Sequence, residues 1–398
     1  MAIDLVQTLS DLVAIPSVNP MGRPLDGPEF YEERVTDYLQ RLFERLGLPW
    51  QRQLVQPRRE NIVARLDGAR SPESGGPLIL LEAHQDTVPV DGMTIDPWKP
   101  QVRDGRLYGR GACDIKGGMT AMLGAVSRLA DERPPGRPTV IMACTVNEEY
   151  GYSGASELPK LWATGTESVV PRRPDVAIVA EPTDLDVVVA HKGAVRWKCR
   201  THGLAAHSSK PDRGKNAIYG MAPVLEALER YAGELGKIVP EHPLCGRATL
   251  SVGTIQGGLS VNTVPDVCSI EIDRRLLPGE EGLAAYEHVL AYLCETATTK
   301  VEVEHQHPYL LSTPLADRDN GALADRLVAV LRRVLGRGEK IGVSFGTNAS
   351  RISVANVPTV VFGPGSIDQA HTADEWLSID ELTKAADVLY EFLASAGG

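Results

Sequence analysis

Short, nearly uninterrupted apolar runs alternate with stretches of helical spacing in the first half of the chain. Pro77–Glu82, Thr139–Cys144 and Val176–Val179 have the pattern of strands buried on both faces. Between them, Gly118–Asp131 sets Met119, Met122, Leu123 and Val126 on one helical face. The N-terminal residues Ile3, Val6, Leu9 and Val13 keep the same spacing against polar neighbours. A further apolar run, Val357–Phe362, follows a helical stretch at Ala322–Leu335. Strands separated by helices predict an α/β sheet of largely parallel strands.

From about residue 195 to 305 the pattern changes. Strand-like Val195–Arg200, a helix near Asn216–Leu235, strands at Ala248–Gly253 and Val267–Ile272, a helix near Gly282–Thr296 and a strand at Lys300–Glu304 follow in turn. That β-α-β-β-α-β order with alternating strands predicts a small α+β sandwich. The simplest organisation is an insertion, with residues 1–194 and 306–398 forming one domain and 195–305 the other.

Composition narrows the function classes. A chain of 398 residues with 43% hydrophobic and 23% charged residues is an ordinary globular protein. The balance of 52 acidic against 41 basic residues, a net charge of −11 without a basic tract, argues against nucleic-acid and anionic-membrane partners. No apolar run approaches the roughly 20 residues of a spanning helix, and the N-terminus lacks a basic and apolar leader pattern. Six scattered cysteines without a C-x-x-C read as reduced thiols, and a cytoplasmic location is expected.

The acids and histidines cluster where the predicted strands end. His84-Gln-Asp86 follows the first run, Glu148-Glu149 the second and Glu181 the third, while His371 follows Val357–Phe362. Asp114 lies in the glycine-rich turn Gly109–Gly118. Singly, each has an ordinary explanation: a hydrogen-bonded histidine, a solvated acidic loop, a turn-forming aspartate. Together they are placed to converge, because side chains beyond the carboxyl ends of strands in an open α/β sheet share one crevice. Gathered carboxylates need a cation, and imidazole plus carboxylate without thiolate suits Zn, Co or Mn. Two metals sharing one carboxylate would use three acids and two histidines, leaving one acid free as a base.

Over nearly its whole length the sequence resembles the M20 family of di-zinc aminoacylases and peptidases. The resemblance rests on the stretches around His84-Gln-Asp86, Asp114, Glu148-Glu149, Glu181 and His371, and is nearest the acetylornithine deacetylase branch. Ala190-His191-Lys192-Gly193 and Gly363–His371 point the same way, with succinyl-diaminopimelate desuccinylase as a close relative. It implies a catalytic domain of the di-zinc exopeptidase type with an inserted dimerisation or lid domain, and a small N-acyl amino acid as substrate. His84, Asp114 and Glu181 would bind one zinc, and Asp114, Glu149 and His371 the other, with Co²⁺ able to substitute. Asp86 would hydrogen-bond the far nitrogen of His84, and Glu148 would be the free base. In the insert, His207 would reach across a homodimer to stabilise an oxyanion. Asn262 and Arg275, beside Arg274, would bind the substrate carboxylate, with Gly346 and Asn348 as further substrate contacts. Asn348 stands where relatives often carry Asp or Glu, which weakens the case for a cationic substrate side chain. The activity implied is amide hydrolysis, with acetylornithine deacetylation of the arginine-biosynthetic type first and desuccinylation, other aminoacylase or dipeptidase activity as alternatives.

Two readings of other classes compete. Gly342-Val-Ser344-Phe-Gly346 matches the nucleophile elbow of serine hydrolases, and Asp368 and His371 follow in the right order. The run before Ser344 is short and polar, however, and this reading leaves five acids and histidines unexplained. A non-catalytic metal-binding protein would have no need of both Glu148 and Glu149.

Overall fold

The computed structural model describes residues 2–163 and 168–396. The chain forms two compact units, one of Met1–Val189, Asp317–Ile341 and Thr347–Gly398, the other of Ala190–Ala316 and Gly342–Gly346.

The first unit is organised by a mixed sheet in the spatial order 50–56, 59–66, 139–145, 78–84, 176–179, 359–361, 187–191, 340–343. Leu78–His84 runs parallel to Thr139–Thr145 and Val176–Val179, and Thr359–Val361 parallel to Val176–Val179. Arg59–Leu66 adds antiparallel to Thr139–Thr145, and Trp50–Gln56 antiparallel to Arg59–Leu66. Leu78–His84 and Thr139–Thr145 are buried along their full length, as their unbroken apolar sequences require.

The helix Lys116–Glu132 is buried on more than the single face its larger side chains mark. Small residues explain this. A Cβ on Gly117 would come within 2.3 Å of Leu377 Cδ2, and one on Gly124 within 2.4 Å of Leu5 Cδ2. The strand Trp376–Ser378 and the helix Leu5–Val13 can therefore approach its backbone. Each large aliphatic side chain buried there contributes about 1.5–3 kcal/mol.

A small antiparallel sheet, Gln101–Arg103, Arg106–Tyr108 and Trp376–Ser378, stands apart from the main one. It joins the approach to the Asp114 loop with the segment that follows His371.

In the second unit the expected β-α-β-β-α-β order appears as Gly193–His202, Ala217–Ile238, Thr249–Gly257, Val267–Leu276, Gly282–Thr296 and Glu302–His305. Along the two central strands burial alternates. Val195, Trp197, Cys199, Ile270 and Ile272 join the core beneath the two helices, and Arg196, Lys198, Glu271 and Asp273 take the other face. The same alternation separates the paired arginines. Arg274 points inward, 1% exposed, and donates to Glu280 Oε1 at 2.5 Å. Arg275 stands on the open face, its Nε 2.8 Å from Asp273 Oδ1.

Candidate active site

His84 ends its strand, Glu148-Glu149 follow Thr139–Thr145, and Glu181 lies just beyond Val176–Val179. These are the carboxyl ends of parallel strands, where an open α/β sheet leaves its crevice. Asp114 arrives from the turn before the helix Lys116–Glu132, and His371 from the loop after Thr359–Val361. His371 adopts left-handed backbone, φ 62°, as does Asn147 beside the paired glutamates, φ 61°. Such conformations in residues other than glycine cost of order 1 kcal/mol and persist where surrounding contacts impose them.

Asp114 is the centre. One carboxylate oxygen is 3.1 Å from His84 Nε2, and the other 3.2 Å from His371 Nε2. His371 Nε2 is also 3.4 Å from Glu149 Oε1. Ligating atoms of His84, Asp114 and Glu181 all lie within 4.8 Å of one another, as do those of Asp114, Glu149 and His371. Asp114 is shared, and Glu148 belongs to neither group.

The electrostatics divide these acids. Burial would raise the carboxyl of Asp114, but hydrogen bonds and charge from both histidines hold it far below the usual range. Burial and the charge of Asp114 push Glu149 up to about 7 and Glu181 well above its ordinary value. Glu148 is raised well above normal by burial, with the charges of Glu149, Asp114 and Asp86 adding to the effect against the opposing pull of His84. Hydrogen bonds that His371 donates to the carboxylates of Asp114 and Glu149 lift it to about 10.

A pair of divalent cations suits this donor set. The ligating atoms are carboxylate oxygens and imidazole nitrogens, and buried Glu149 Oε1 faces only the long, 3.4 Å approach of His371 Nε2. The nearby thiol of Cys113 is engaged elsewhere, 3.4 Å from the carbonyl of Ser366.

Asp86 faces the far nitrogen of His84 with both its carbonyl and its carboxylate. Its backbone carbonyl, not its carboxylate, is nearest His84 Nδ1, at 3.0 Å against 3.6 Å. Accepting there fixes the proton on Nδ1 and leaves Nε2 free to ligate. The carboxylate accepts the main-chain N–H groups of Glu148 at 3.0 Å and Glu149 at 3.1 Å, and the amide of Asn19 at 2.8 Å. Asn19 also donates to Asn147 Oδ1 at 2.9 Å. Behind them the buried pair Arg59 and Glu32 completes the network, Glu32 accepting from the N–H of Asn147. Asn19, Glu32, Arg59 and Asn147 carry no sequence signal that separates them from ordinary polar positions.

Asn348 is 1% exposed and donates to Glu82 Oε1 at 2.9 Å and Thr145 Oγ1 at 3.1 Å. In the second unit, His207 pairs with Thr263 across a two-residue ribbon, and the carbonyl of Asn262 accepts from the N–H of Ser208 at 3.0 Å. The N–H of Ser209 donates to His207 Nδ1 at 3.1 Å, so the ring proton of neutral His207 sits on Nε2. Gly346 ends the short segment Gly342–Gly346 that clusters with this unit. Ser344 follows a four-residue strand, and no helix starts before Ala349, so the strand–serine–helix turn of a nucleophile elbow is not formed.

Residues 80–395 match the model of peptidase family M20/M25/M40. The chain is 31% identical over 364 residues to an acetylornithine deacetylase of Myxococcus xanthus, with 90% of each covered. It is 33% identical over 366 residues to one of Vibrio campbellii, with 89% of each covered. Its fold matches a dinuclear metal-binding M20 peptidase of Bacillus subtilis with a TM-score of 0.69 at 19% identity, over 99% of this chain and 97% of that one. The chain belongs to peptidase family M20/M25/M40 and is a metal-dependent hydrolase of amide bonds.

Proposed function

We propose that the protein hydrolyses the N-acyl amide of an N-acyl amino acid, with acetylornithine deacetylation in arginine biosynthesis as the first assignment. The observation that carries this reading is the division of labour around Asp114. Five side chains form two overlapping ligand groups, and a sixth, Glu148, is buried beside them but belongs to neither. The named relatives supply the acyl amino acid as substrate class.

Cations held by His84, Asp114 and Glu181 and by Asp114, Glu149 and His371, zinc first with cobalt able to replace it, would polarise the acyl carbonyl and lower the pKa of the attacking water. Glu148 takes the proton from that water as it attacks the carbonyl carbon, and returns it to the departing nitrogen. Glu148 is buried beside the ligands yet belongs to neither group, which leaves its carboxylate free to hold a proton between those steps. Asp86 keeps Glu148 and Glu149 apart in role by fixing the backbone of both. His207, with its proton on Nε2, donates to the developing oxyanion. Arg275 and Asn262 receive the substrate carboxylate, the guanidinium by its planar fork.

His207 belongs to the partner subunit's site in this reading, so the active species is a homodimer. Supporting this, Leu259 and Val261 of the second unit are 98% and 100% exposed beside the strand Thr249–Gly257, an apolar surface that needs a cover. The six free cysteines suit a cytoplasmic enzyme. No helix among the described residues is long and apolar enough to cross a membrane.

One observation favours a second substrate reading. Asn348 carries no charge, and its amide is occupied by Glu82 and Thr145. An N-acyl amino acid with a neutral side chain needs no acid there. A hydrolysis panel of N-acetylornithine, neutral N-acetyl amino acids, succinyl-diaminopimelate and dipeptides with the metal-loaded protein decides the matter. Turnover of N-acetylornithine supports the first reading and preference for the neutral compounds the second. Turnover of dipeptides alone overturns both.

A further inference from the structure

Glu375 is fully buried, and the loop that carries Asp114 is wrapped around its carboxylate. Oε1 accepts the main-chain N–H groups of Cys113 at 2.9 Å and Asp114 at 3.0 Å. Oε2 accepts the N–H of Gly111 at 3.1 Å and the guanidinium of Arg110 at 2.7 Å. Both oxygens are thus used twice, by four donors from one five-residue stretch. The loop can close this way because Gly111 adopts φ +84°, where a Cβ would also lie 2.9 Å from Thr87 Cγ2.

The segment that supplies this anion also supplies a candidate metal ligand. Glu375 lies four residues after His371. The stretch between them is held by two main-chain bonds, Thr94 N–H to the carbonyl of Ala373 at 2.8 Å and Gly109 N–H to that of Glu375 at 3.0 Å. Trp376–Ser378 then pairs with Arg106–Tyr108. One peptide therefore touches Asp114 twice. Glu375 holds its backbone N–H, and His371 meets its carboxylate at 3.2 Å. His84, by contrast, reaches Asp114 from a strand of the main sheet and has no part in this closed circuit.

We propose that Glu375 is the positioning residue that fixes Asp114 against His371, and that it acts selectively on the metal position formed by Asp114, Glu149 and His371. The proposal rests on the two-metal reading above. Removing one acceptor oxygen of Glu375 frees two donors of the loop and lets the Asp114 carboxylate shift relative to His371. The position built on His84 and Glu181 keeps two ligands outside this closed circuit, whereas the other position keeps only Glu149, because His371 belongs to the circuit itself.

The test is titration of metal-free parent and Glu375→Gln proteins with Co²⁺, following heat, stoichiometry and the visible absorption of the ion, with thermal unfolding of the metal-free proteins as the check on folding. The parent takes up two ions. Glu375→Gln is expected to keep one at near-parent affinity while the second weakens about 10- to 100-fold, the range for groups that orient metal ligands, with an altered absorption band. Parent-like binding of both ions by folded Glu375→Gln overturns the proposal, and so does equal weakening of both. A parent that binds fewer than two ions overturns the two-metal reading instead. Should Glu375→Gln fail to fold, Glu375→Asp is read the same way, because it keeps the charge and shortens only the reach. Selective weakening of the second ion supports the proposal, and unchanged or uniformly changed binding overturns it.

Discussion

Asp86 Oδ1 accepts the main-chain N–H of Glu148 at 3.0 Å, while its other oxygen accepts that of Glu149 at 3.1 Å. A single buried carboxylate therefore sets the turn at which two adjacent glutamates diverge, one into a ligand group and one beside it. Asp86→Asn replaces one acceptor oxygen by a donor and sets it against an N–H. Activity is expected to fall about 10- to 100-fold, as for other groups that orient metal-site ligands. Steady-state kinetics with parallel metal analysis checks this, and parent-like kcat would show that the turn holds without Asp86.

Glu148 itself is a sharper test. If it carries the proton and does not ligate, Glu148→Ala should lower kcat by at least about 10²-fold while the protein still binds two ions. Metal analysis beside the rate measurement separates the two glutamates. Loss of metal in Glu148→Ala, with retention in Glu149→Ala, would exchange their assignments.

The carboxylate cluster also predicts dependence on metal. Chelator should abolish amide hydrolysis, and Zn²⁺ or Co²⁺ should restore it. Full turnover by protein shown to be metal-free would remove the role given to the Asp114 groups.

These residues were legible because they sit beside unmistakable strands. Pro77–Glu82 and Thr139–Cys144 are continuous apolar runs, and whatever follows such runs in an α/β sheet meets in one crevice. Less visible were Trp50–Gln56 and Arg59–Leu66, which carry no regular polar alternation; they pair with each other, and the second becomes part of the sheet only through its long-range partner Thr139–Thr145. The same holds for Arg106–Tyr108 and Trp376–Ser378, three residues each and far apart in the chain. Glu375 looks like any surface acid until that pairing carries it under the Asp114 loop. Asn19 and Arg59 likewise acquire meaning only from the Asp86 carboxylate and Glu32 they meet. Conversely, strand alternation alone puts Arg274 and Arg275 on opposite faces, since neighbours on a strand face opposite sides.

The trans assignment of His207 has its own outcome. His207→Ala and Glu148→Ala subunits, each inactive alone, should regain activity when mixed, because a hybrid dimer contains one site with both groups intact. Recovery is measured after subunit exchange has been shown by an independent label. Exchange without recovery would place the action of His207 within its own chain.

His191 predicts a pH dependence of stability separate from the metal site. Burial lowers its pKa to about 4. Nδ1–H donates to the carbonyl of Lys192 at 2.9 Å, and buried Nε2 meets no hydrogen-bond partner. Protonation would place an uncompensated charge in the core. The folded pKa lies below the unfolded value of 6.5, so between them the unfolded chain binds the extra proton. Stability from this group is complete above pH 6.5 and is lost as pH falls toward 4, by up to about 3 kcal/mol. His191→Asn keeps a donor for Lys192 and cannot titrate. Denaturant unfolding of the two metal-free proteins from pH 7.5 to 4.5 should show the parent losing stability faster, because every other titrating group is common to both. Parallel pH profiles would mean that His191 is already charged, or solvated, in the folded protein.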